Sequence, residues 1–295
     1  MWKTDGKPVP LFSWLGLSPI AHRYLLLEGI CTMLIFHEIS GANIACWVSS
    51  RNFSHGKMTL FFIHGSGGDH SIWIEQYARL KDEFNIAAVD LPGHGLSGGR
   101  GEQDVSRYVE WVRRFFDALV LEKPVLVGHS LGAAISLVFA IKHGEMLSAI
   151  VPVGGGARMP VNEMILKGLK TDPDSVIALA AKFSVTKENR ERLSRIVIEG
   201  LSRANPDILY GDLLACDRLD IGNEVASIGR PTLVMCGADD KMTPPVLSRF
   251  LKDNIPGAQL SMIENAGHMA MLENAEAFNR ALKSFVESLP DTERR

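Results

Sequence analysis

Ser130 lies between two glycines in the run Gly128-His129-Ser130-Leu131-Gly132, and it is the residue of this chain best placed to act as a nucleophile. The apolar stretch 124–127 before it predicts a short strand, and the small and apolar residues after it predict a helix. A strand that turns sharply into a helix at a Gly-x-Ser-x-Gly pattern presents the serine hydroxyl at the edge of a sheet. The helix that begins near Leu131 would also point its free N–H groups at charge that develops beside the serine.

A serine nucleophile needs a base that accepts its proton and an acid that orients the base. Asp239 and Asp240 follow one strand expected later in the chain, and His268 follows the next. The chain order Ser, Asp, His is that of a triad built on a parallel sheet. The other histidines lie in tight loops or in no motif, where structural or exposed roles are expected. His268 is therefore the predicted base, and both aspartates are candidates for the acid.

The elements that must position these residues follow from an alternation of strand and helix patterns over residues 32–153 and 231–290. Continuous apolar runs such as 58–63 and 85–90 are typical of strands buried on both faces. Amphipathic stretches such as 104–119 are typical of helices packed against a sheet. This alternation predicts an α/β protein with a mostly parallel central sheet flanked by helices on both faces.

The alternation stops between residues 154 and 230, where the sequence predicts helices without intervening strands. Such a segment would form a helical cap over the carboxyl ends of the strands, where ligands bind in open α/β sheets. Residues 1–31 form an N-terminal extension in this division. The apolar stretch from Leu11 to Phe36 is interrupted by charged residues before it reaches a spanning length and lacks a cleavage site. It predicts an additional helix packed on the body, and no membrane span.

Composition excludes several other classes of function. A chain of 295 residues that is 46% hydrophobic can bury a large core, and a net charge of -3 without a basic stripe argues against nucleic acid as a partner. The glycine-rich run 65–68 lacks the Gly-Lys-Ser/Thr of a phosphate cradle, so nucleotide binding is not expected. Four widely spaced cysteines without a C-x-x-C pair predict a reduced, cytoplasmic protein, and neither a metal nor another cofactor is expected.

Four motifs, in this order along the chain, resemble those of the α/β-hydrolase fold superfamily: His64-Gly65-Ser66-Gly67-Gly68, Asp90-Leu91-Pro92-Gly93-His94-Gly95-Leu96-Ser97, Gly128 to Gly132, and Gly267-His268. The resemblance extends from about Met33 to Leu289, and it implies an α/β-hydrolase core with a helical cap. The family pattern Gly-x-x-Asp-x-apolar-Thr/Val-Pro is matched by residues 237–244, which implies that Asp240 rather than Asp239 is the acid. The oxyanion hole would use the N–H of Leu131 and, by resemblance, that of Ser66.

The resemblance implies a serine hydrolase that needs no cofactor and cleaves a carboxylic ester, or a related acyl bond, of a small and partly apolar substrate. Thioesters, lactones and carbon–carbon bonds stay open as alternatives, since they use the same machinery. A non-catalytic ligand receptor is the alternative from another class. Relatives with an Asp nucleophile are disfavoured by Ser130. Ring-cleavage hydrolases are disfavoured by His129, where they have Asn, and by the absence of an aromatic residue in 269–271.

Residues of the predicted cap indicate which groups of a substrate could bind there. Apolar residues such as Met159, Ile165 and Phe183 favour an apolar acyl or alkyl group. Five arginines there could recognise a substrate carboxylate, although solvated helix surface is the simpler interpretation. They are Arg158, Arg190, Arg192, Arg195 and Arg203.

Overall fold

The computed structural model describes residues 23–27, 30–50, 53–54 and 56–290. The strands are β1 (Arg23–Leu27), β2 (Ile30–Ile39), β3 (Ala42–Val48), β4 (Thr59–Ile63), β5 (Asn85–Val89), β6 (Val125–His129), β7 (Ala149–Val153), β8 (Leu233–Gly237) and β9 (Gln259–Ile263). The helices are α1 (Ile74–Leu80), α2 (Val105–Leu119), α3 (Leu131–His143), α4 (Glu163–Thr171), α5 (Pro173–Ser184), α6 (Arg190–Leu201), α7 (Pro206–Asp217), α8 (Pro245–Asn254), α9 (Ala270–Glu273) and α10 (Ala275–Ser288).

The strands of the described residues form one sheet in the order β1-β2-β3-β5-β4-β6-β7-β8-β9. Strands β1, β2, β3 and β5 pair antiparallel in that sequence, and all pairs from β5 to β9 are parallel. The chain order reverses at β4, so the loops after β4 and β6 lie beside each other at the carboxyl end of the sheet. The predicted α/β architecture with a mostly parallel sheet is confirmed.

Helices cover both faces of the sheet. Successive residues of a strand point to opposite sides, so the apolar strands present apolar side chains to both layers of helices. Phe61 packs in the apolar cluster that includes α2 and α3, whereas its neighbour Phe62 packs in the cluster that includes α1 and α10. Both phenylalanines are fully buried. The continuous apolar runs of the sequence thus correspond to strands with two buried faces.

The prediction of an additional helix in the N-terminal part of Leu11–Phe36 is wrong for residues 23–27 and 30–31, which lie in strands, whereas the sequence assigns residues from 32 onward to the core. Residues 23–27 and 30–36 of that stretch lie in β1 and β2, and the remainder falls outside the described residues. Seven residue pairs join β2 to β3, from Met33 with Val48 to Ile39 with Ala42. An apolar run without clear periodicity fits a strand or a helix equally, and here tertiary pairing selects the strand.

Four helices, α4 to α7, connect β7 to β8, and we call residues 154–230 the helical insertion. Each of these helices lies close to a helix predicted for this segment, and α7 begins at Pro206 behind a capping asparagine whose side chain accepts the N–H of Asp207. The short helix α9, directly after His268, was not predicted. Among the described residues, no helix is both long enough and apolar enough to cross a membrane.

Candidate active site

Ser130 occupies a strained turn between β6 and α3. Its φ of 54° and ψ of -112° are unusual for a residue with a side chain, and its N–H donates to the Val153 carbonyl at 2.9 Å. A Cβ atom on Gly128 would lie 1.9 Å from the Gly132 carbonyl oxygen, and one on Gly132 would lie 2.5 Å from the carbonyl oxygen of Ile63. Both glycines are therefore required by close backbone approach, as the pattern predicts.

His268 and Asp240 form a buried pair on the two loops that follow β9 and β8. The Nδ1 atom of His268 lies 2.8 Å from Oδ2 of Asp240, and the two residues are 4% and 3% exposed. Oδ1 of Asp240 accepts the backbone N–H groups of Met242 and Thr243 at 2.8 and 2.9 Å. Burial by itself raises the pKa of the Asp240 carboxyl, but the charge of His268 and these hydrogen bonds outweigh burial and hold that pKa below its ordinary value.

Asp239, the other candidate acid, is exposed, and its backbone N–H donates to the Ala266 carbonyl at 2.9 Å. Of the two neighbouring carboxylates, only Asp240 reaches His268. The tight turn that places the Met242 and Thr243 N–H groups on the Asp240 carboxylate directs the side chain of Asp239 away from the histidine.

Thr243 is a residue of the site whose contacts sequence reasoning missed. Its Oγ1 lies 2.8 Å from Oδ2 of Asp240, 3.1 Å from Nδ1 of His268 and 2.9 Å from the carbonyl oxygen of Gly154. The hydroxyl has one proton and donates it either to the carboxylate or to the carbonyl. The signal for it in the sequence is the threonine of the Gly-x-x-Asp-x-apolar-Thr/Val-Pro pattern that also contains Asp240.

Ser130 and His268 line one cavity of about 720 Å³, together with Gly65 and Ser66 of the loop after β4. The hydrogen bonds of the described residues join His268 to Asp240 and Thr243, and none joins His268 to Ser130. Such a contact is often long in an unliganded enzyme and shortens when substrate binds. The structure therefore places the predicted nucleophile and base at one cavity without a direct hydrogen bond.

The two predicted oxyanion donors also lie at this cavity. Ser66 follows β4, and Leu131 is the first residue of α3, where backbone N–H groups have no partner within the helix. Neither of these N–H groups donates to another atom of the residues that the structure describes. Both are thus available to an oxygen atom bound beside Ser130.

The cavity lies between the carboxyl ends of the strands and the helical insertion. Most of its wall is apolar, and the insertion contributes Ile165, Val176, Phe183, Leu193, Leu209 and Leu213 among others. Cys216 also lines it, but burial raises the pKa of this thiol to about 12, so the thiolate that would act as a nucleophile is scarce.

Of the five arginines considered for a substrate carboxylate, only Arg192 lines the cavity. Its guanidinium donates to the carbonyl oxygens of Leu272 and Glu273, at 3.3 and 3.0 Å, and to Oδ1 of Asn189 at 3.0 Å. Arg158 pairs with Asp220 at 2.8 Å on the exposed surface. Arg190 donates to the Lys182 carbonyl, Arg195 pairs with Glu199, and Arg203 lies 3.8 Å from Asp69.

Two of the loop histidines are buried and neutral. The Nε2 atom of His64 accepts the Leu91 N–H at 3.0 Å, so its Nδ1 carries the proton and donates to the Gly65 carbonyl at 2.8 Å. His129 donates its Nε2–H to the carbonyl oxygen of His268 at 3.0 Å. Burial, reinforced by His94, lowers the pKa of His64 to about 4, and burial, reinforced by His268, lowers that of His129 to about 3.

The described residues contain no group of three or more His, Cys, Asp or Glu side chains that could hold a metal ion. The cysteines whose side chains are described are Cys46, Cys216 and Cys236, and all three are buried and free.

Comparison with known proteins gives matches to a hydrolase family model, to curated relatives and to solved structures. A family model described as "Alpha/beta hydrolase family" matches residues 60–281. The chain is 26% identical over 242 residues to the pimeloyl-[acyl-carrier protein] methyl ester esterase of Neisseria meningitidis serogroup B, which covers 77% of this chain and 92% of that protein. It is also 28% identical over 246 residues, 78% of this chain, to the dihydrolipoyllysine-residue acetyltransferase component of the acetoin cleaving system of Cupriavidus necator, of whose length it spans 64%. The solved structure of a thermophilic esterase shares 32% identity with a TM-score of 0.74, over 87% of this chain and 98% of that one.

Proposed function

This chain belongs to the alpha/beta hydrolase family, and from this membership we propose that it is a serine hydrolase that cleaves carboxylic esters through an acyl-enzyme on Ser130. The observation that carries the proposal is the buried pair of Asp240 and His268, joined at 2.8 Å, at the cavity that Ser130 lines. Similarity to a methyl ester esterase and to a thermophilic esterase supports an ester as the bond that is cleaved.

In the first half of the reaction His268 Nε2 takes the proton of Ser130 Oγ as that oxygen attacks the ester carbonyl carbon. Asp240 accepts the Nδ1–H of His268, which keeps Nε2 free as the base. The N–H groups of Ser66 and Leu131 bind the oxyanion of the tetrahedral intermediate. The proton then passes from Nε2 to the alcohol oxygen, the bond between the carbonyl carbon and that oxygen breaks, and the acyl group stays on Ser130.

In the second half a water molecule replaces the alcohol. His268 takes a proton from the water as its oxygen attacks the acyl carbon, and the same two N–H groups bind the second oxyanion. The bond between the acyl carbon and Ser130 Oγ then breaks, His268 Nε2 returns the proton to Oγ, and the carboxylic acid leaves the restored enzyme.

The wall of the cavity supports an uncharged, apolar group on the substrate. Arg192 is the one arginine at the wall within the described part of the chain, and its guanidinium already contacts three oxygen atoms of the protein. Lys241 also lines the wall, so a substrate carboxylate would lack a partner only where it binds away from this ammonium group, and there its burial carries a large penalty. The volume of about 720 Å³ leaves room for an aliphatic chain beside the reacting ester.

The test is turnover of p-nitrophenyl esters from acetate to dodecanoate by the wild type, by Ser130→Ala and by Ser71→Ala. Ser71 is a second serine at the wall of the same cavity, and its hydroxyl donates to Asp69, so it controls for the loss of any serine there. We expect Ser130→Ala to lose at least about a thousandfold in kcat and Ser71→Ala to stay within about threefold of the wild type. The chain length with the highest kcat/KM then measures the apolar part of the cavity.

Labelling with a fluorophosphonate separates the proposal from a receptor function. Ester turnover together with labelling at Ser130 supports the enzyme. Absence of turnover and of labelling in a folded wild type would reject it in favour of a ligand receptor.

A further inference from the structure

Asp212 is a buried carboxylate on α7 of the helical insertion, and its three side-chain hydrogen bonds are all to the core. Its side chain is 0% exposed. Oδ2 accepts the backbone N–H of Gly67 at 2.9 Å and lies 2.8 Å from Nε2 of His94. Oδ1 accepts the hydroxyl proton of Tyr108 at 2.5 Å. Three donors from three separate core segments thus converge on one carboxylate that belongs to the insertion.

The contact with Gly67 bears directly on the oxyanion hole. Gly67 follows Ser66, so the N–H that Asp212 holds and the N–H proposed to bind the oxyanion belong to consecutive peptide units. Because each peptide unit is planar, fixing one restricts the orientation of the next. Gly67 has a φ of 63°, and a Cβ atom there would lie 3.0 Å from the Leu209 side chain of α7. The loop therefore lies directly against the helix that carries Asp212.

The negative charge of Asp212 strengthens the hydrogen bonds that it accepts from His94, Gly67 and Tyr108. Burial by itself lowers the pKa of His94, but the Asp212 carboxylate outweighs burial and raises that pKa above its ordinary value. Hydrogen bonds to an ionised acceptor are shorter and stronger than neutral ones. A carboxylate left without partners at a site with no solvent exposure is unstable, and Oδ2 keeps both Gly67 and His94 as partners independently of the Tyr108 hydroxyl on Oδ1.

We propose that Asp212 is a positioning residue for the oxyanion hole: its carboxylate holds the Gly67 N–H and so fixes the Ser66 N–H toward Ser130. The inference rests on the proposed function, since it assigns Asp212 to the same catalytic step. It makes the helical insertion part of the catalytic machinery, in addition to forming a wall of the cavity.

The test compares Asp212→Asn with Tyr108→Phe as a matched control. Asparagine has one acceptor oxygen and one donor group, so it cannot accept from all three donors. Tyr108→Phe removes the hydrogen bond to Oδ1 and leaves the bond from Gly67 to Oδ2. For p-nitrophenyl butanoate we expect Asp212→Asn to lower kcat by about 10-fold to 100-fold with KM within about threefold, because donors of the oxyanion hole act in the transition state. Tyr108→Phe should keep kcat within about threefold, although both variants should lower Tm.

An unchanged kcat in Asp212→Asn would overturn the inference, and so would an equal loss of kcat in both variants, which would indicate a role in folding alone. The rate of Ser130 labelling by a fluorophosphonate is a second readout, since this reaction also places an oxygen in the oxyanion hole, and it should fall in Asp212→Asn only. A wild type that shows neither turnover nor labelling rejects the proposed function itself, and the inference with it.

Amide hydrogen exchange in the active wild type decides the question if Asp212→Asn does not fold. The Gly67 amide, held by a buried carboxylate, should exchange at least about 100-fold more slowly than the Ser66 amide, which has no acceptor among the described residues. Equal exchange of the two amides would overturn the inference, and slow exchange at Gly67 alone supports it.

Discussion

His129 should make the fold sensitive to acid. Its imidazole is 3% exposed, and its Nε2–H donates to the carbonyl oxygen of His268 at 3.0 Å. Burial is the main reason why its pKa falls to about 3, and repulsion by the charge of His268 adds to it, whereas this hydrogen bond and Asp240 act in the opposite direction. An unfolded chain has no such environment, and its histidine titrates at about 6.5.

The sign and the size of the effect follow from this difference. At about pH 5 the unfolded state binds a proton at His129 and the folded state does not, so lowering the pH favours unfolding. The loss of stability begins as the pH falls below about 6.5 and continues until the folded-state pKa of about 3 is reached. Between about pH 7.5 and about pH 5 the free energy of unfolding should fall by about 2 kcal/mol, because about pH 5 lies about 1.5 units below the histidine pKa of about 6.5 in the unfolded chain.

The measurement is urea denaturation of the wild type and of His129→Asn at a series of pH values between these limits. Asparagine keeps a side-chain donor but does not titrate, so the variant should lose about 2 kcal/mol less than the wild type across the range. Any change in packing shifts the whole curve and cancels when the two pH dependences are compared. Parallel curves would refute the assignment of His129 as a buried neutral imidazole.

Four further outcomes are expected. Asp240→Asn should lower kcat by about 10³-fold to 10⁴-fold in steady-state kinetics while Asp239→Asn stays within about threefold, and the reverse order would reject Asp240 as the acid. Thr243→Val should lower kcat about 10-fold, because the hydroxyl contacts both the carboxylate of Asp240 and the imidazole of His268; a wild-type rate would show that backbone N–H groups alone orient the pair. The monomethyl ester of suberic acid should have a kcat/KM at least about 100-fold below that of methyl octanoate because most of the wall is apolar, and equal values would mean that a cation of the wall such as Lys241 pairs with the carboxylate. Gly128→Ala should yield no folded protein by circular dichroism, since its Cβ would lie 1.9 Å from the Gly132 carbonyl oxygen, and a native spectrum would contradict this requirement.

Elements with a strong periodic pattern between turn residues were predictable from the sequence. Helix α3 begins at Leu131, where the sequence predicts its start, because a glycine-flanked serine precedes it. The stretch before Met33 failed for the opposite reason. Its apolar run has no clear period, and the pairing of β1 with β2 decides its conformation.

The site was predictable to the extent that each contact is set by a short loop. The strand–turn–helix pattern located Ser130, and the Asp240 turn is closed by N–H groups two and three residues later. Asp212 gave no such signal, since a single aspartate in a helix is usually on the solvated face. Its partners lie 104, 118 and 145 residues away along the chain, so only the folded structure brings them together.

The position of Asp212 links the shape of the cavity to the rate of the chemical step. Leu209, Leu213 and Cys216 on α7 line the cavity, and Asp212 on the same helix holds the loop that carries Ser66. A shift of α7 that enlarges the cavity must therefore also move the Gly67 N–H, because one rigid helix carries both sets of contacts. Helices α5 and α6 contribute to the cavity wall without a described hydrogen bond to the 64–68 loop. Changes in α5 and α6 can thus alter the cavity without moving the 64–68 loop, whereas α7 is constrained by that loop.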